Sequence, residues 1–197
     1  MAVCFRPARR SDAREIARLF QISSEGCADY IWSLTAQPGQ PLLDVGEMRY
    51  AREGVIFSYQ NCRIAEAEGQ VIGMMHSFEM RHDPEAQPET DPVLAAYAGM
   101  EIPDTLYISS LALHEGWRNR GLGQQFLQYA HARCDELGLK GLSLIDYEAN
   151  SGARRFYERH GFHIVKTCEV TPHPLIRVTG EAYLMFCTLQ ATEQPRP

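Results

Sequence analysis

The chain has little lysine, no paired-cysteine motif and no long apolar run. Arginine outnumbers lysine seventeen to two, and the net charge is −6. No basic run exceeds a few residues, so the electrostatic footprint of a nucleic-acid partner is missing, as are the base-stacking aromatic repeats of RNA modules. Six cysteines (Cys4, Cys27, Cys62, Cys134, Cys168 and Cys187) include no Cys-x-x-Cys, and no Cys/His cluster has zinc spacing. They read as free, buried thiols, with no metal expected. No window reaches about 18 apolar residues, so no membrane span is expected. The N-terminus also lacks the apolar stretch of a signal peptide. A cytoplasmic protein is expected.

What is present is an ordinary globular composition, 45% apolar and 22% charged over 197 residues. That predicts one domain over 1–190, with an acidic, proline-containing insertion at 81–104 and a frayed tail at 191–197. A strand over Ala2–Arg6 leads to a helix capped at Ser11. Residues 24–45 read as irregular, with exposed-looking Tyr30 and Trp32, before a helix over Val45–Glu53. Cys62–Ala67 and Val71–Met80 read as a hairpin turning at Glu68-Gly69. Val93–Met100 has room for a helical turn or two. Phe162–Val170 and Ala182–Leu189 read as the last strands. Mixed elements in this order fit an α/β or α+β sheet with helices on both faces.

The most informative stretch is Arg118-Asn-Arg-Gly-Leu-Gly123. An apolar strand, Leu106–Leu113, precedes it. Leu122, Phe126, Leu127, Ala130, Cys134 and Leu137 follow on one face at helical spacing, and Gly138 offers a stop. Strand, glycine-bearing loop and helix collect outward-pointing N–H groups at a positive helix end, which suits a phosphate. Taken alone, the loop is equally readable as a turn. It lacks the Gly-Lys-Ser/Thr of a Walker loop, and Phe126 stands where a dinucleotide fingerprint needs its third glycine.

Downstream, Leu142–Tyr147 is a second strand, followed by Asn150-Ser-Gly-Ala-Arg-Arg-Phe-Tyr-Glu-Arg-His-Gly-Phe162. The run from Leu106 to Val165 resembles the GCN5-related N-acetyltransferase (GNAT) superfamily. The resemblance rests on Arg118-x-x-Gly121-x-Gly123 and on Asn150…Ala153-x-x-Phe156-Tyr157-x-x-x-Gly161-Phe162. An opening such as Phe5-Arg6-Pro7-Ala8…Asp12 is also typical. The resemblance implies a mixed, mostly antiparallel twisted sheet of about 6–7 strands. One parallel pair, around 106–113 and 142–147, would splay into a cleft for acetyl-CoA.

The same resemblance implies the site residues. The pyrophosphate would take the N–H groups of Asn119, Arg120, Gly121, Leu122, Gly123 and Gln124, beside Arg118. The pantetheine arm would pair with the open strand at Leu111, Ala112 and Leu113, where a bulge within Ser109–Leu113 is expected. Asn150 and Ala153 would flank that arm, although helix capping alone also explains Asn150. The N–H near Leu111 would serve as an oxyanion donor, and Tyr157 would donate to the leaving sulfur. Tyr157 is otherwise readable as core packing beside Phe156.

The segments 24–45 and 171–180 would wall the acceptor pocket, with Glu25, Asp29, Tyr30 and Trp32 receiving an amine. Glu79, Glu101, Asp104, Asp146 and Glu148 are carboxylates near the cleft, none assignable as a base. The implied activity is acetyl-CoA-dependent acetylation of a small-molecule or peptide amine, with no nucleic-acid partner, no membrane partner and no metal. A homodimer through C-terminal strands would be typical. A non-catalytic acyl-CoA sensor and a transferase using another acyl-CoA are the alternatives.

Overall fold

Seven strands form one sheet in the order β1-β2-β3-β4-β5-β7-β6. The computed structural model describes residues 2–81, 84–85 and 87–189, and the tail expected to fray at 191–197 lies outside them. The strands are β1 (Val3–Pro7), β2 (Cys62–Ala67), β3 (Gln70–Met80), β4 (Thr105–Leu113), β5 (Gly141–Tyr147), β6 (His163–Glu169) and β7 (Glu181–Thr188). Every neighbouring pair is antiparallel except β4 and β5, which run parallel. A parallel pair needs a crossover, here the helix Leu122–Glu136.

Three helices, α1 (Ala13–Ser23), α2 (Cys27–Ser33) and α3 (Leu42–Tyr50), cover one face. Ile16, Leu19, Trp32 and Tyr50 pack there on Ile64 and Met74. The crossover helix, α4, and α5 (Ser151–Arg159) cover the other face. On that side Phe126, Leu127 and Tyr157 meet Leu142 and Leu144. Each fully buried side chain of this size contributes roughly 1.5–3 kcal/mol.

Three local expectations need correction. Ser11 does not cap α1; a short 3-10 turn over Arg10–Asp12 precedes the helix. The buried carboxylate of Asp12 takes the Arg9 N–H at 2.7 Å and both Arg6 guanidinium nitrogens at 2.7 and 3.0 Å. A charge-assisted fork of this kind outcompetes a serine hydroxyl. Residues 24–45 are not irregular, since they hold α2 and the start of α3. The breakers Pro38, Gly39 and Pro41 interrupt only the link between the two helices, and a seven-residue helix is too short to show clear periodicity. Trp32 is not exposed: it is 1% accessible, and a Cβ at Gly46 would stand 2.4 Å from its indole.

The register between β3 and β4 positions the site. His76 pairs with Ser110 and Ser77 with Ile108, so Ser109 is an extra residue in β4. This bulge lies within the segment where one was expected. Ahead of it Leu106 and Ile108 belong to the α4/α5 core; after it Leu111 and Leu113 pack there, and Ala112 points to the α1–α3 core. Parallel pairing with β5 covers only Leu106, Tyr107 and Ile108. Beyond the bulge the two strands part.

Candidate active site

Where β4 and β5 diverge, a cavity of about 370 Å³ opens. Leu111, Ala112 and Leu113 form one wall, and Asn150, Ala153 and Tyr157 form the other. Arg118 and Asn119 close one end, and Glu25 reaches in from the α1–α2 turn. The parted strands leave the β5-facing edge of β4 free of ladder partners over this stretch.

The loop ahead of α4 is arranged for an anion. Gly121 stands at the helix N-cap with φ +77°, a left-handed conformation that glycine adopts without a Cβ clash. The first α-helical bond runs from Gln125 N–H to the Gly121 carbonyl at 3.3 Å. The N–H groups ahead of it in the turn therefore point outward at the positive helix end. Arg118 Nε donates to the Leu113 carbonyl at 3.1 Å, tying the loop to the strand end. Arg120 stacks on Trp117 at 4.9 Å. Leu122 is buried, so its side chain serves the core and only its backbone faces the loop. A Cβ on Gly123 would press on the Phe156 ring at 3.0 Å, so this glycine sets how closely α4 approaches α5.

On α5, Asn150 Oδ1 accepts the Ala153 N–H at 3.4 Å, which caps the helix. Tyr157 is 8% accessible, with its ring against Phe156 and Phe162. Burial raises its hydroxyl pKa, and the neighbouring Asp146 raises it further, so the group stays protonated. Asp146 lines the same cavity, is 4% accessible, and its Oδ2 has no hydrogen-bond partner. Burial pushes its carboxyl up to about 6.

A second cavity of about 400 Å³ lies on the α1–α3 face of the sheet. It shares Ser23, Ser109, Ile145 and Tyr147 with the first, so the two meet at the bulge. Phe20, Phe57, Phe78, Tyr97, Tyr107 and Tyr147 supply its rings. Its outer wall is the second half of the insertion, from Glu89 to Glu101, which includes the 3-10 turn Leu94–Tyr97. The connection at 171–180 contributes nothing to the lining. It buttresses α2 instead, through His173 against the Tyr30 ring at 4.5 Å and Arg177 on Asp29 at 3.1 Å.

The residues expected to receive the amine are thus dispersed. Trp32 is locked in the α1–α3 core, and Tyr30 gives its hydroxyl to both Asp91 carboxylate oxygens at 2.8 and 2.7 Å. Glu25 lies on the first cavity. Of Glu79, Glu101, Asp104, Asp146 and Glu148, only Glu101 lines the second cavity. Asp104 pairs with Lys140 at 2.8 Å, Glu79 with Arg81 at 2.8 Å, and Glu148 accepts the Glu181 N–H at 3.3 Å. The rings of the second cavity escaped the sequence reading because they come from six separate segments. A histidine inside the apolar run of β3, His76, was the one local signal of something unusual.

One splayed parallel pair, a helix end with outward N–H groups and a buried tyrosine together make up this site. The chain belongs to the Acetyltransferase (GNAT) family, whose pattern it matches over residues 30–162. A chloroplastic protein of Arabidopsis thaliana, GCN5-related N-acetyltransferase 10, is 33% identical over 85 residues, 43% of this chain. That match covers 32% of the relative, so the chain spans about a third of its length. The fold is shared with an N-acetyltransferase from Staphylococcus aureus Mu50 at a TM-score of 0.63 and 18% identity, over 93% of this chain and 98% of that one. It is also shared with the PaiA N-acetyltransferase of Thermoplasma acidophilum, solved with coenzyme A, at 0.57 and 13%, over 95% and 99%.

Proposed function

We propose that residues 1–190 act as one acetyltransferase domain that transfers the acetyl group of acetyl-CoA to the amine of a small molecule or peptide. The observation that carries this reading is the parting of β4 from β5 into a cavity that Arg118 and Asn119, just ahead of the Gly121 helix end, line together with Tyr157. The residues suit the ligand. The turn at 119–124 offers N–H donors and Arg118 a positive charge for a pyrophosphate. The free edge of β4 offers peptide-like pairing for amides. The orphaned Asp146 oxygen offers one further acceptor inside the cleft.

Acetyl-CoA supplies an activated acyl carbon and a thiolate leaving group. The amine nitrogen forms the new C–N bond as the C–S bond breaks. The Leu111 N–H stabilises the negative charge that gathers on the carbonyl oxygen. Tyr157, kept protonated by burial, donates its hydroxyl to the departing sulfur. The proton lost by the amine leaves through water at the junction of the two cavities. The exposed edge strand β6, with Ile164 and Val165 on its surface, is where a second copy would pair. Six unpaired cysteines accord with a reducing, cytoplasmic compartment.

The test is thermal stabilisation by acetyl-CoA, followed by thiol release against a panel of amines. No stabilisation by any acyl-CoA overturns the reading. Tight binding without turnover of any amine favours an acyl-CoA sensor, and faster turnover of a longer acyl-CoA favours a different acyl donor.

A further inference from the structure

We propose that the acceptor is a primary amine bearing an apolar, ring-sized group, and that Ser109, oriented by His76, receives its N–H in front of the acyl carbonyl. This rests on the amine-acetylation reading and adds the substrate class and the residue that positions it.

The second cavity sets the class. Phe78 lies 5.4 Å from Tyr107 and 5.9 Å from Phe57, centroid to centroid, which makes a continuous aromatic wall. The charged side chains in the lining are Glu89 and Glu101, both exposed. They attract a cation to the opening and repel an acid. Among the described residues, no lysine or arginine lines the cavity. An amine with an apolar body covers the rings, whereas a polyamine leaves most of the aromatic wall unfilled and can pair its second ammonium only with the exposed carboxylates Glu89 and Glu101, where screening makes the pair weak.

The bulge supplies the polar contact. His76 is fully buried, and its Nε2 lies 3.0 Å from the Ile56 carbonyl, an acceptor only. That nitrogen therefore carries the proton, and the bare Nδ1 must accept from the Ser109 hydroxyl it touches. Phe57 stacks on the imidazole at 5.1 Å and Tyr50 meets it edge-on at 5.6 Å, so the ring cannot turn away. Burial lowers its pKa to about 4, which keeps the imidazole neutral and excludes it as the base. Arg49 is the charged group acting on it and also disfavours protonation. With its proton committed to His76, Ser109 can only accept from a ligand. It lies where the two cavities meet. An amine that gives one N–H to Ser109 keeps its lone pair for the acyl carbon. The adjacent Ser110, whose hydroxyl pairs with Ser23 at 2.6 Å, lines only the first cavity and does not reach the junction.

The experiment measures thiol release from acetyl-CoA by the full chain with phenethylamine, ethanolamine and spermidine. Phenethylamine is expected to exceed the other two in kcat/KM by at least about tenfold, the scale of burying an apolar group. Equal or faster turnover of spermidine or ethanolamine overturns the substrate class while amine acetylation stands. Silence with all three and with a broader amine panel, despite stabilisation by acetyl-CoA, overturns amine acetylation and this inference with it.

Ser109→Ala is expected to raise the amine KM by about tenfold, the worth of one hydrogen bond, with the KM for acetyl-CoA within about threefold. An unchanged amine KM overturns the assignment. His76→Leu should reproduce the loss, and His76→Asn, which keeps an acceptor on a shorter side chain, should recover most of it. Equal loss in both variants, or none in either, overturns the orienting role of His76.

Discussion

The two cavities share four residues yet grip by different means. The one between β4 and β5 relies on backbone: an open strand edge, a helix end and a capped turn. The one on the α1–α3 face relies on side chains, a wall of rings gathered from helices, strands and the insertion. Backbone groups cannot be changed by ordinary substitution, so the groups the first cavity offers are fixed. Rings can be exchanged one at a time, so the second is free to change its ligand without disturbing the first.

That contrast can be broken most severely at Gly121. Gly121→Glu forces a side chain into the left-handed region and sets a carboxylate at the phosphate end, so stabilisation by acetyl-CoA should vanish and kcat/KM fall by at least about a hundredfold. Retained stabilisation would mean that the helix end is not the anion grip. Tyr157→Phe separates chemistry from binding. It should lower kcat by roughly 100-fold, the low end for a lost general acid, with the KM for acetyl-CoA nearly constant. A rise in KM alone would make Tyr157 a packing residue.

Asp146 tests what the backbone-lined cavity costs. Its folded pKa of about 6 lies above the ordinary 3.8. Between those values the native state holds a proton that the unfolded chain has lost, so stability falls as pH rises from about 4 to about 6 and is flat above. Asp146→Asn should therefore stabilise the protein at pH 7.5 by roughly 2–3 kcal/mol, about 5–10 °C in melting temperature, with no gain below pH 4. A gain that persisted at pH 3.5 would place its origin outside the titration. The smallest expected effect is on the side-chain half. Tyr97→Ala should raise the amine KM by about fivefold and leave the KM for acetyl-CoA unaltered, because Tyr97 lines only the second cavity.

Legibility in the sequence follows the same division. The donor loop, the strand ahead of it and the Asn150–Phe162 block are contiguous, and a contiguous site leaves a local pattern. The strand list and the parallel pair were readable for the same reason. The ring-lined cavity was not, since Phe57, Phe78, Tyr97 and Tyr107 are scattered over fifty residues and look alike as core. The insertion looked like an acidic solvating loop because its charges lie outside and its apolar residues, such as Leu94 and Met100, face in. Tyr30 and Trp32 misled because α2 is too short to announce itself, and exposure was inferred from an irregularity that is absent.

Ser109 also gives β4 two reading frames. Before it, even-numbered residues face the α4/α5 core; after it, odd-numbered ones do. Deleting Ser109 would restore a single frame with every other residue facing as it does now, and would remove the bulge at which β4 parts from β5. This stretch should therefore accept substitutions and refuse length changes, whereas the insertion at 81–104, anchored by buried Val93 and Met100, can exchange the side chains it turns to the second cavity. Divergence in acceptor preference within such a chain is then expected to come through the loop, with the nine residues of β4 held at constant count.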